Sequence, residues 1–204
     1  MRLNKEMRVL LVKNNLKAFH FVFTRLIILF LLLLIIFSSE IVLPLKILSI
    51  VSYYVIFSFL GMAGISHELL HNTLFKKSVW NKIFFRTYSI LSLSNYSFYE
   101  FTHWEHHKSP LLENDPKDLF KGRLSLKNFI LWITFDVVSL KNRFRILFLN
   151  AIGIIPNKKI YSQILTQPDG IHIVRRIRRA AQFILFTHAL ICIFVIWINK
   201  PEMV

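Results

Sequence analysis

Three long stretches with almost no charge constrain the fold of this chain more than any other feature. Residues 19–42, 47–66 and 180–198 each approach the roughly 20 residues a helix needs to cross the hydrocarbon core of a bilayer. Water is absent there, so every backbone N–H and C=O must be satisfied within its own segment, which favours helices. Arg25 lies near one end of the first stretch, where its apolar stem can carry the guanidinium back to the interface. The third stretch is free of charge but contains Gln182, Thr187 and His188. Hydrophobic residues make up 54% of the chain and its mean hydropathy is positive, as expected of a membrane protein. A basic leader precedes the apolar run 26–37 with no small-x-small cleavage pattern after it, so an uncleaved anchor is expected.

The formal charge of +15 would suggest nucleic acid in a soluble protein, but its distribution argues otherwise. Of 26 Lys and Arg residues, six lie at or before Arg25 and eighteen between Lys76 and Arg179, with Lys46 and Lys200 apart. Two basic clusters separated by apolar stretches are what the positive-inside rule produces. The expected topology has the N-terminus inside, an external turn around residues 40–46, a cytoplasmic region 67–179 and an external C-terminus. The third crossing then starts behind Arg175, Arg176, Arg178 and Arg179. No nucleic-acid partner is expected. The single cysteine, Cys192, lies in an apolar run and offers neither a disulfide framework nor a thiolate metal site.

The fold class is therefore all-α: one domain over residues 1–204, an integral membrane helical bundle with about three transmembrane helices and a cytoplasmic helical cap. Within the cap, apolar stretches 83–93, 129–138 and 146–155 are too short to span and are expected as interfacial or re-entrant helices. Pro110, Pro116, Pro156 and Pro168 mark breaks. Trp80, Trp132 and Trp197 are expected as interfacial anchors, His20 as a membrane-boundary residue, His172 as a loop residue and His188 as a bundle-facing polar group.

Five of the eight histidines fall into two short boxes. His67 and His71 frame His67-Glu68-Leu69-Leu70-His71, where the second apolar stretch ends. His103, His106 and His107 stand in His103-Trp104-Glu105-His106-His107. In a helix, residues three and four apart share a face, so each box aligns its imidazoles. Two such sets on adjacent helices can converge on one or two metal ions, and imidazole suits iron and zinc. Glu68 and Glu105 are candidates to accept the second ring N–H of a ligating histidine and fix its tautomer.

These residues resemble the membrane fatty acid desaturase family of histidine-box, non-haem di-iron enzymes. Its first box reads His-Asp/Glu-x-x-His and its second His-x-x-His-His, as here. The flanks Asn72-Thr73-Leu74-Phe75 and Asn114-Asp115-Pro116 agree as well. The resemblance covers roughly residues 61–118 by motif and extends through the third apolar stretch by hydropathy. It implies iron ligation by His67, His71, His103, His106 and His107, and dioxygen-dependent introduction of a double bond into an acyl chain. It also implies a membrane lipid or acyl substrate, and an electron donor such as ferredoxin or cytochrome b5. Asp115 is equally a hydrogen-bond partner of a ligand or a turn residue before Pro116.

Family members carry a third His-x-x-His-His box, and these 204 residues contain none. His172 and His188 lack a histidine partner at helical spacing and do not replace it. The expectation is a shortened desaturase with an incomplete site, its activity as a single chain left open. Three alternatives stay open here. One is an intramembrane zinc metalloprotease, with Glu68 as general base and Asp169 of Pro168-Asp169-Gly170 as a further ligand. The others are a non-catalytic remnant of the fold and a hydroxylase-type relative sharing the boxes.

Overall fold

The computed structural model describes residues 14–56, 64–108 and 137–198. Regular structure among them is helical: α1 Asn15–Phe37, α2 Leu43–Val55, α3 Gly64–Leu70, α4 Ser78–Leu91, α5 Tyr96–Lys108, α6 Val137–Ala151, α7 Lys158–Leu165 and α8 Gly170–Ile198. The chain divides into two compact units between Tyr88 and Ser89, inside α4.

In the first unit, α1 starts where Asn14 caps it, its Oδ1 accepting from the Leu16 and Lys17 amides at 2.9 and 3.3 Å. Its 23 residues extend about 34 Å, enough to cross a bilayer core. Phe30, Leu31 and Leu34 are exposed, the signature of a helix whose solvent is lipid. Arg25 turns back toward the helix start, donating to the Phe21 carbonyl at 2.9 Å and resting 3.3 Å over the Phe21 ring. This helix ends at Phe37, short of residue 42, where the first apolar stretch ends. Ser38 takes an extended conformation, and residues 38–42 form the link into α2, where Pro44 sits in the first turn.

The second apolar stretch also differs from the hydropathy expectation. α2 begins at Leu43, four residues before the apolar stretch 47–66, and spans 13 residues. Residues 57–63 lie outside the described ones, and α3 begins at Gly64. By length and composition, two described helices can cross a membrane, Asn15–Phe37 and Gly170–Phe194, with α2 a shorter apolar helix.

Aromatic packing fixes the segment after α3. Phe19 of α1 meets Phe75, Trp80 and Phe84 at 4.9, 5.3 and 6.0 Å between ring centres. The fully buried Asn81 side chain closes the turn, accepting from the Phe75 amide at 3.1 Å and donating to its carbonyl at 2.9 Å. The Lys76 amide reaches Asn15 Oδ1 at 2.8 Å. Trp80 is therefore half-buried in this cluster, whereas Trp197 is exposed on α8 and Trp132 lies outside the described residues.

In the second unit α8 is the spine, packed on α5, α6 and α7. One core cluster joins Ile155, Ile160, Ile164, Ile173 and Ile177. A second joins Leu147 and Ala151 of α6 to Ala181 and Ile184 of α8. The small Ala180 and Ala181, both buried, allow close helix approach. Asn95 serves two elements: its Oδ1 caps α5 through the Ser97 and Phe98 amides, both at 3.2 Å, and its Nδ2 donates to the Ile177 carbonyl at 2.9 Å. Asn157 caps α7 in the same way.

α8 starts at Gly170, ten residues before the expected crossing, so Arg175–Arg179 is helical and not part of a preceding loop. A Cβ at Gly170 would lie 2.4 Å from the Ile164 carbonyl oxygen, so only glycine permits this turn from α7 into α8. His172 consequently sits in the first turn of α8, correcting the loop expectation. His188 faces its own helix, Nδ1 2.9 Å from the Ile184 carbonyl oxygen, and His20 is exposed on α1. The short apolar stretches of the cap map onto α4 and α6, each helix beginning earlier and ending sooner than its stretch. Residues 129–136 of the third lie outside the described ones.

Candidate metal centre

The first histidine box is carried by the single short helix α3. Ile65, Ser66, Leu69 and Leu70 are buried, which leaves His67 and His71 half-buried on another face. His71 stands one residue past the helix, but its amide still bonds the His67 carbonyl at 3.1 Å, so the i, i+4 register persists. The two rings lie 4.6 Å apart, and their ligand nitrogens lie within 4.8 Å of each other.

What stops the helix directly after His71 is Asn72, in the left-handed region at φ 56°. The Asn72 amide bonds the Leu69 carbonyl at 3.1 Å and the Thr73 amide the Glu68 carbonyl at 3.0 Å. This is the Schellman pattern, with asparagine where glycine is usual. The same pattern closes α4 with Leu93 and α6 with Gly153 in the left-handed position.

The Schellman turn also folds Thr73 back over Glu68. The Thr73 hydroxyl donates to a Glu68 carboxylate oxygen, while the other oxygen lies 3.3 Å from His67 Nδ1. The Thr73 hydroxyl chiefly, and then the hydrogen bond and positive charge of His67 and His71, hold the Glu68 carboxyl below its ordinary value, against a partial burial that raises it. Glu68 therefore engages the Nδ1 side of His67. That orientation leaves Nε2 of the same ring as the nitrogen for a metal.

The second box lies on α5. His103 is nearly sealed, 2% exposed, stacked at 5.6 Å on Tyr99 and edge-on to Trp104 at 5.9 Å. Burial pushes the Tyr99 hydroxyl above its ordinary value, so it stays neutral beside the imidazole. His107, one turn on, points Nε2 at His103 Nε2 across 3.0 Å. His106 is half-buried, its ring 5.8 Å from that of His107.

Among the described residues, His67 with His71 in the first unit, and His103 with His107 in the second, are histidine pairs whose ring nitrogens can serve as metal ligands. The donor chemistry fits. Two cis imidazoles bound at about 2.0–2.1 Å to one ion sit about 3 Å apart, the separation seen between His103 and His107. The set is all imidazole with a neighbouring carboxylate, which suits iron or zinc.

Of the other expected site residues, Glu105 is largely buried and accepts from Lys108 Nζ at 2.6 Å. It stands two positions after His103, a spacing that points the side chains to different faces of α5. Asp115 lies outside the described residues. Asp169 is exposed at the start of α8, its carbonyl accepting from the Ile173 amide. Sequence reasoning missed Thr73 and Tyr99. A hydroxyl directly after an asparagine helix stop, and an aromatic one turn before His103, were the signals available for them.

Comparison with known proteins supplies one further finding. The family model described as fatty acid desaturase matches residues 42–200, which includes both boxes, α2 and α8 up to its end. Neither curated proteins nor solved structures give a match.

Proposed function

Since this chain belongs to the fatty acid desaturase family, we propose that it is a membrane-bound oxidoreductase whose two histidine boxes hold non-haem iron for the dioxygen-dependent desaturation of an acyl chain. The observation carrying this reading is the 3.0 Å approach of the His103 and His107 nitrogens inside a chain segment that the family model matches. His67, His71, His103 and His107 would hold the metal, with His106 joining them as the second box pattern implies. Iron supplies the power to remove hydrogen from an unactivated methylene, which no side chain can do.

The chain's own residues would perform the supporting work. Glu68 fixes the His67 tautomer, and Thr73 holds Glu68 in place. Tyr99 and Trp104 pack around His103, exclude water from its ring and restrict its rotation. Long apolar helices keep the site beside the bilayer, where an acyl substrate resides. Forming one double bond with one dioxygen yields two waters and requires two external electrons and two protons. The reading therefore includes an electron donor of the ferredoxin or cytochrome b5 class. The clustering of basic residues supports a cytoplasmic location for both boxes in this reading.

The test is metal content and acyl-chain analysis of membranes expressing the full chain with an electron donor. The expected result is iron that copurifies with the wild type and is lost with His103→Ala, together with new unsaturated chains that need the same histidine. Zinc in place of iron, or unsaturation that survives His103→Ala, would overturn the proposal.

A further inference from the structure

We propose that α6 is an interfacial membrane helix, with Phe144, Phe148 and Ile152 embedded at the headgroup–acyl boundary and Lys141 and Arg145 engaging anionic phospholipid headgroups. The inference rests on α8 crossing the bilayer and goes beyond the iron site.

Three observations within the second unit carry it. First, α6 has two apolar faces. Leu147 and Ala151 are buried against Ala181 and Ile184 of α8, whereas Phe144, Phe148 and Ile152 are about half exposed at four-residue intervals. That spacing lays them in one stripe along the helix. An apolar stripe this wide on an otherwise charged helix marks a membrane or partner surface.

Second, the depth of contact is set by α8. Its basic residues Arg175 to Arg179 stand at the start of the apolar crossing, and α6 packs on Ala181 and Ile184 within the next two turns. Gln182 of α8 donates to the Ala151 carbonyl at 3.1 Å and so satisfies the end of α6 at that level. Basic residues at the start of a crossing mark the headgroup layer, so α6 lies against the boundary between headgroups and acyl chains.

Third, the charge is complementary to an anionic leaflet. Residues 137–198 contain nine Lys and Arg against a single acid, Asp169. Lys141 and Arg145 are exposed and, by helical spacing, border the aromatic stripe on the same side of α6. Long basic side chains next to a buried aromatic row can snorkel outward to phosphate. A nucleic acid would find the same positive charge, but a row of phenylalanine and isoleucine fits acyl chains.

Spin-label accessibility in nanodiscs tests the proposal on the full chain in a Cys192→Ser background. Labels are placed by Phe148→Cys on the stripe, Asn142→Cys at an exposed polar position off the stripe and Ile191→Cys within the α8 crossing. In discs of phosphatidylcholine with phosphatidylglycerol, the expected result is oxygen-accessible labels at 148 and 191 and a water-accessible label at 142. Replacing phosphatidylglycerol by phosphatidylcholine, or combining Lys141→Gln with Arg145→Gln, should shift the 148 label toward water. A water-accessible 148 label beside a lipid-accessible 191 label would overturn the interfacial helix alone. Water accessibility at both would overturn the membrane reading with it. A lipid-buried 148 label indifferent to headgroup charge and to both substitutions would overturn the anionic-lipid claim.

Discussion

The Nε2 atoms of His103 and His107 face each other at 3.0 Å on consecutive turns of α5. A hydrogen bond across this distance needs one ring nitrogen as donor and the other as acceptor. The same separation suits two cis ligands of one ion. Tyr99 stacking and near-complete burial hold His103 in that orientation.

Removing either member of the pair should abolish metal retention. His103→Ala and His107→Ala are each expected to lose the bound iron. Elemental analysis of protein purified in detergent checks this. Full iron retention in both variants would contradict ligation by the pair.

Glu68 and Glu105 should behave differently despite similar places in their boxes. Glu68 contacts His67 Nδ1, so Glu68→Gln is expected to weaken iron binding about 10–100-fold, the usual cost of losing a carboxylate that orients a ligating histidine. Glu105 pairs with Lys108, so Glu105→Gln should leave affinity near wild type. Competition with a chelator measures both, and equal losses would argue against the distinction.

Asn72 occupies a left-handed position that glycine also accepts. Asn72→Gly should leave thermal stability nearly unchanged. Asn72→Val should destabilise by about 1–3 kcal/mol, because a β-branched side chain is strained there. The helix stop behind His71 would loosen with it, so the valine variant should also retain less iron than the glycine variant. Thermal unfolding followed by circular dichroism, alongside metal content, decides this.

Gly170→Ala should be among the more damaging single-methyl changes in the second unit. The new Cβ would meet the Ile164 carbonyl oxygen and Leu165 Cα, both backbone atoms that cannot swing aside. A loss of about 1–3 kcal/mol is expected from overpacking of this kind. An unchanged melting temperature would show that the α7–α8 turn relaxes freely.

Much of the site was legible because it is local. His67 with His71, and His103 with His107, are one helical turn apart, and an apolar flank makes each segment helical, so the pairing follows from spacing alone. The all-helical class and two of the long apolar helices are legible for the same reason, since hydropathy reports what a segment's solvent must be. Helix ends were not legible from hydropathy, which is blind to the hydrogen bonds that stop a helix. Asn14, Asn72, Asn95 and Gly153 set those ends, and each acts through a cap or a left-handed turn rather than through apolarity. The start of α8 is set by a tight local turn, in which Gly170 sits against the Ile164 carbonyl, and hydropathy does not report it. Packing decided that the Asn95 amide reaches the Ile177 carbonyl and that α6 turns Leu147 toward α8 while leaving Phe148 outside. Those outcomes depend on groups brought together from distant parts of the chain, and no local pattern carries them.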